Sequence, residues 1–180
     1  MNKTMLEHDY FMKMALDHAE QALAEGEFPV GCVIAHQEEL IATGARTGSR
    51  LNSGERTVPS EIDHAEINAL KSFYDLDISI PREEITLYCT LEPCLMCFGA
   101  IMISRIGTLV FAYEDVMGGG TSCDLKTTGP LYADSRIEII PHVMRNESLK
   151  LFKTFFSNPD NDYWKESLLA DYTIESAYSS

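Results

Sequence analysis

Two short stretches, Asp63-His64-Ala65-Glu66 and Glu92-Pro93-Cys94-Leu95-Met96-Cys97, supply an imidazole, two thiols and carboxylates at spacings that can do chemistry. Each sits where a loop or strand feeds a helix. Cys94 and Cys97 are three residues apart and so share one helical face. The positive end of the helix dipole favours their thiolate forms there. Pro93 suits the first helical turn, where its missing N–H has no partner anyway. One imidazole and two thiolates make a three-ligand zinc site whose fourth position stays open for water. Zinc lowers the pKa of such a water toward neutrality. Glu66, two residues beyond His64, is close to the metal without being needed as a ligand. Its carboxylate is placed to take the water's proton and pass it to a substrate nitrogen and a departing amine.

Each piece also has a plainer reading. Asp63-x-x-Glu66 fits a capping box. A C-x-x-C pair alone is weak evidence for metal, and His64 alone fits a core or surface histidine. A different class of protein, with a closed structural zinc or a catalytically dead scaffold, needs a fourth ligand. Cys89, Cys32, His36 and His142 are the candidates. Cys89 lies inside the strand-like run Leu87-Tyr88-Cys89-Thr90 and reads as a small core residue. A structural site would also leave Glu66 without a role.

The elements that must position these residues follow from periodicity. Phe11, Ala15, Ala19 and Ala22 recur at helical spacing between His8 and Glu25, and Gly26 is a natural stop. Gly31–Ala35 and Leu40–Thr43 flank the polar turn His36-Gln37-Glu38-Glu39 and predict a hairpin. Residues 46–62 read as a long loop, rich in Gly, Ser, Arg and Asn. A helix begins near Asp63 and runs to Phe73, and another runs from Cys94 to Arg105. Ile85–Thr90, Thr108–Tyr113 and Arg136–Ile140 read as strands. Helices near Glu147–Phe156 and Tyr163–Tyr172 close the chain around the turn Ser157-Asn158-Pro159-Asp160. Strands alternating with helices predict a three-layer α/β domain.

Composition narrows the setting. The 180 residues suffice for one substantial core, and 45% hydrophobic with 23% charged residues is ordinary for a globular protein. No apolar run approaches the ~20 residues of a membrane span. The N-terminal residues lack the layout of a signal peptide, which predicts a cytoplasmic location. In that reducing setting a close pair among five cysteines binds metal or does chemistry more often than it forms a disulfide. The net charge of −14 works against nucleic acid, whose binders gain affinity from Lys and Arg along phosphates.

His64-Ala65-Glu66 followed by Pro93-Cys94-x-x-Cys97 resembles the signature of the zinc deaminases of the cytidine deaminase superfamily. Longer stretches resemble the bacterial tRNA adenosine deaminases and their nucleobase-deaminase relatives, guanine deaminase among them. These are Glu27–Gly31, Leu87–Cys94, Met96-Cys97, Gly99-Ala100, Ser104–Gly107, Val110-Phe111 and Asp115, over roughly residues 8–156. The resemblance implies an α/β/α sandwich with a mixed five-stranded sheet and a zinc ion held by His64, Cys94 and Cys97. It implies Glu66 as the proton shuttle, and a homodimer whose interface lies near the zinc-bearing helices. It places Phe28, Pro29 and Val30 beside the substrate ring and Asp115 near ring or sugar, with Ala65 and Pro93 counted among the substrate contacts. Plainer roles are open for three of these: Pro29 and Val30 as a turn entering a strand, Asp115 as a turn residue.

The chain departs from the tRNA branch in three places. Arg46 stands where those enzymes have a pocket asparagine. The following loop is longer than theirs and carries Arg46, Arg50 and Arg56, either as a solvated loop or as a lid whose arginines meet a carboxylate, phosphate or carbonyl-rich substrate. The terminal stretch Asp160–Glu175 has one Lys against five acids, where the tRNA enzymes end in a basic helix. Trp164, Leu168, Leu169 and Tyr172 give it an apolar stripe. By analogy with guanine deaminases, Trp164 or Tyr172 closes over the active site. The expectation is a deaminase domain over residues 1–158 and a helical tail over 159–180, packed on the domain or a partner subunit. Its expected substrate is a small nucleobase, nucleoside or related amino-heterocycle. The alternative is tRNA, with adenosine converted to inosine at the anticodon, which the acidic charge disfavours.

Overall fold

A computed structural model describes residues 3–49 and 60–175, so Arg50 and Arg56 lie outside the described residues. The first helix, α1 (Lys3–Ala24), buries Phe11, Met12, Ala15, Leu16, Ala19 and Ala22. It ends just before Gly26, which takes the left-handed conformation (φ 80°) open to glycine. The hairpin β1 (Gly31–His36) and β2 (Glu39–Ala45) follows, then α2 (Ala65–Tyr74) and β3 (Ile85–Leu91). The chain continues through α3 (Leu95–Ile103), β4 (Thr108–Tyr113), the short α4 (Pro130–Ala133) and β5 (Glu138–Ile140). It closes with α5 (Arg145–Phe156) and α6 (Leu168–Glu175). The short α4 has no counterpart among the expected elements.

The sheet order is β2-β1-β3-β4-β5. Strand β1 runs antiparallel to both its neighbours, whereas β3, β4 and β5 are parallel. The expected mixed five-stranded sandwich is the observed fold. Alternation along the strands sorts two cores. Val33, Ala35, Tyr88, Val110 and Ala112 meet α1. Cys32, Ile34, Leu87, Cys89 and Leu109 pack with Ala69, Phe73, Phe98 and Ile101 of α2 and α3 on the other face. Gly44 lets α2 lie directly on β2, because a Cβ there would stand 2.3 Å from the Ala65 carbonyl oxygen.

This topology gathers one edge of the sheet. Gly31 pairs with Ala45, Cys32 with Cys89, and Leu91 with Tyr113. The start of β1 therefore lies beside the ends of β2, β3 and β4. Ligands of open α/β sheets bind outside the carboxyl ends of the strands.

The terminal helix differs from its expectation. Residues 163–167 form turns and the helix begins at Leu168, so helical spacing does not connect Trp164 to the rest of the stripe. Leu169 is buried, while Leu168 and Trp164 stay exposed. Thr173 shares a hydrogen bond with the Tyr113 hydroxyl at 3.0 Å, and the Tyr172 hydroxyl donates to Glu114 at 2.7 Å. The Arg145 Nε also donates to Glu114, at 2.7 Å.

Burial works to raise the Glu114 carboxyl, but the Arg145 guanidinium and the Tyr172 hydroxyl outweigh it and hold the pKa near 2, below the ordinary 4.5. A carboxylate depressed in the folded state stabilises fully above its unfolded pKa and stops doing so as pH falls through the folded one. The docking of α6 should therefore weaken between pH 4.5 and about 2. Amide exchange along α6 should show that acid-dependent loosening in the wild type. In Glu114→Gln the helix should be looser at neutral pH and indifferent to acid over the same range.

Candidate active site

His64 and Cys94 are the N-caps of α2 and α3, both in extended conformation. Neither helix start carries a side-chain capping bond, so Asp63 and Glu66 do not form the capping box that their spacing allows. Asp63 instead faces Lys71 at 3.7 Å. Pro93 sits one residue before the cap rather than in the first turn, and its carbonyl accepts from Gly120 N–H at 2.9 Å. Cys94 takes the cap in extended conformation (φ −65°, ψ 169°), and Cys97 follows in the first turn of α3.

His64 Nδ1 lies 3.6 Å from Cys94 Sγ and 3.4 Å from Cys97 Sγ. All three donor atoms are within 4.8 Å of one another. Nitrogen and sulfur ligands at ~2.0–2.1 and ~2.3 Å from a tetrahedral zinc stand roughly 3.6 Å apart, so the donors fit the ion. Among the described residues no fourth ligand joins them. Cys32 and Cys89 face each other across β1 and β3, fully buried, with both thiols held up by burial. His36 lies against Glu84 at 3.1 Å, and His142 against Glu114 at 3.5 Å. The structural-zinc reading loses its candidates, and three protein donors remain.

The Cys97 thiol, then His64, hold Cys94 in its thiolate form, with a pKa near 4. Glu66 enters α2 two residues after its cap, beside the cluster and 3% exposed. Burial pushes its carboxyl up from the ordinary range, which suits a group that must carry a proton as well as accept one.

A cavity of about 360 Å³ opens over the cluster. Phe28, Val30, Arg46, His64, Ala65, Glu66, Cys94 and Asp115 line it. Pro29, Pro93 and Cys97 do not, although all three are buried around it. Pro29 is the turn residue entering β1. Asp115 is a turn residue that also borders the cavity. Its Oδ1 accepts from the N–H groups of Met117 and Gly118 at 3.0 and 2.9 Å. The Phe28 ring is fixed from behind, edge-on to Phe152 and Phe155 of α5.

Further residues complete the wall. Glu61 borders the cavity from the loop before α2, and Glu92 from the end of β3. Glu92 ties the 115–121 loop down, accepting from Asp115 N–H at 3.2 Å and from the Thr121 hydroxyl at 2.5 Å. Leu169 and Tyr163 come from the terminal segment with Trp164. Of the two aromatic residues expected to close the site, Trp164 lines the cavity and Tyr172 binds Glu114 instead. A tyrosine at the end of a turn carries no periodic signal that could have singled out Tyr163.

Residues 5–113 match the family model for the cytidine and deoxycytidylate deaminase zinc-binding region. The chain belongs to that family. It is thus a zinc-dependent hydrolase of the deaminase kind. Over 151 residues it is 37% identical to a tRNA-specific adenosine deaminase of Buchnera aphidicola subsp. Schizaphis graminum (strain Sg), covering 83% of this chain and 93% of that one. The tRNA-specific adenosine deaminase of Bacillus subtilis (strain 168) is 30% identical over 152 residues, covering 84% and 90%. Among solved structures, a deaminase studied for A-to-I editing at the wobble position of transfer RNA superposes with TM-score 0.59 at 26% identity, over 79% of this chain and 98% of that one. A mutant of NE0047 in complex with 8-azaguanine gives TM-score 0.61 at 23% identity, over 82% and 83%, and shows the shared fold.

Two substitutions separate the ligands from the proton carrier. Cys94→Ser or Cys97→Ser should lose zinc, measured by elemental analysis of the purified protein. Glu66→Gln keeps nearly the same shape, so zinc content and thermal midpoint should stay at wild-type values. Its deamination rate should fall by roughly 10²–10⁴-fold or more. Near-normal turnover in Glu66→Gln would assign the proton transfer to another group.

Proposed function

We propose that this deaminase hydrolyses the exocyclic amine of a small amino-heterocycle, a free base or nucleoside, and releases ammonia. The supporting observation is the cavity itself. Its volume is at the small end of ligand sites and suits a single ring system. Tyr163 and Trp164 wall it on the side of the terminal segment. Among the described residues, Glu61, Glu66, Glu92 and Asp115 surround it against one arginine, Arg46. Asp162, Lys165 and Glu166 follow on the surface next to Trp164. Such a mouth repels a phosphate backbone.

His64, Cys94 and Cys97 would hold a zinc ion, which would supply an acidified water when bound. Glu66 is placed beside them to accept a proton, deliver it to the ring nitrogen beside the reacting carbon, and return a proton to the amine as it leaves. Phe28, Val30 and Leu91 give the ring apolar walls and keep bulk water from competing. Leu95, Met96 and Ile103, left exposed on α3, support the homodimer expected near the zinc-bearing helices. No helix among the described residues is long and apolar enough to cross a membrane.

A second reading has its own support. The relatives at 30–37% identity carry the name tRNA-specific adenosine deaminase, which favours adenosine in an anticodon loop as the substrate. On similarity alone that reading leads. The acidic mouth and the aromatic wall favour the small ring.

One experiment separates them. Zinc-loaded protein is offered a panel of amino-purines, amino-pyrimidines and their nucleosides, with ammonia release as the readout, beside an anticodon stem-loop scored for inosine. We expect turnover of at least one free ring, and weak tRNA binding at physiological salt. Inosine formation in the stem-loop with no activity on any free base or nucleoside would reverse the choice.

A further inference from the structure

Arg46 leaves the end of β2 and is 2% exposed, the one lysine or arginine on the cavity wall among the described residues. One end of its guanidinium is held. Nη2 donates to the Ser60 carbonyl at 2.6 Å and to the Tyr163 hydroxyl at 3.0 Å, and lies 3.6 Å from Glu61. Tyr163 in turn donates to Glu61 at 2.9 Å. The other end, Nη1, is buried and has no hydrogen-bond partner. Buried donors are almost always paired, and an unmet one carries the full cost of its desolvation. Nη1 of Arg82 is also unmet, but that guanidinium stacks on the Phe73 ring at 4.2 Å, away from the cavity. No comparably close ring faces Arg46, whose nearest, Tyr163, is centred 5.9 Å away.

We propose that Arg46 is a specificity-determining residue, whose free Nη1 donates to a ring carbonyl of the substrate, and that Tyr163 holds it in position. This rests on the small-ring reading above. The acceptor is a neutral oxo group rather than a carboxylate or phosphate. Among the described residues Glu61, Glu66, Glu92 and Asp115 outnumber Arg46, which disfavours an added anion. The substrate class is thus an amino-heterocycle that also carries an oxo group. Rings with an amine alone leave the donor unmet and are rejected. A site built to hydrogen-bond a substrate discriminates strongly against the analogue lacking that group.

The test uses two pairs of probes that differ by one oxo group, guanine against 2-aminopurine and cytosine against 4-aminopyrimidine. Turnover is read as kcat/KM, and affinity is read by calorimetry on zinc-loaded Glu66→Gln protein. The wild type should prefer the oxo partner of at least one pair by about 10–100-fold, the worth of a hydrogen bond to a charged group. Arg46→Gln should erase that preference while zinc content stays whole. Tyr163→Phe removes only the tether and serves if Arg46→Gln folds poorly. It should reduce the preference through KM and leave kcat nearly unchanged. Absence of an oxo preference in the wild type, or its retention in both variants, would overturn the assignment. A binding preference without turnover of any free ring would sink the small-ring reading of the reaction and leave the role of Arg46 standing.

Discussion

The structure depends on three donor atoms from two distant segments meeting within a few ångströms. His64 and Cys94 are 30 residues apart, yet their ligand atoms stand 3.6 Å from one another. An ion that joins two helix starts binds only if both helices are already set by the sheet. That explains Gly44, which brings α2 onto β2, and the parallel β3-α3-β4 unit, which aims α3 outward from the carboxyl end of β3. The core on this face is the ruler that sets the metal distances. Phe73, Phe98 and Ile101, all fully buried, hold α2 and α3 against the central strands.

The same placement tunes the charges. Cys94 stands at the positive end of α3 and Glu66 near the positive end of α2, so both negative groups find favourable dipoles. Burial then divides their roles. Cys94 keeps its negative charge because a thiol and an imidazole adjoin it. Glu66 is almost without exposure, and burial raises its carboxyl above the ordinary range.

Opposite the metal, the wall of the cavity comes from the end of the chain. Tyr163 connects Arg46 to Glu61, and the Phe28 ring stands edge-on to Tyr163 as well as to the aromatic residues of α5. Leu169 joins both the core and the cavity. The terminal segment is thereby part of the site, anchored through the Glu114, Arg145 and Tyr172 cluster below it.

The sequence by itself determined the chemistry. Imidazole, paired thiols and a nearby carboxylate are specific in type and local in spacing, so His64, Glu66, Cys94 and Cys97 could be read without coordinates. The alternation of strands and helices was equally local and carried the fold class, while the mixed five-stranded sheet came from the resemblance. The tertiary structure decided everything that depends on distance across the chain. Arg46 and Tyr163 are 117 residues apart, and no local pattern records that one holds the other. Pro93 and Pro29 sit next to residues that line the cavity yet do not line it, because adjacent residues in extended chain point to opposite sides. Trp164 and Leu168 lost their place in an apolar stripe because the backbone turns before Leu168, and a spacing of four means a shared face only on a helix. The wall of the cavity belongs to this second kind of information, since six separate segments meet there at one edge of the sheet.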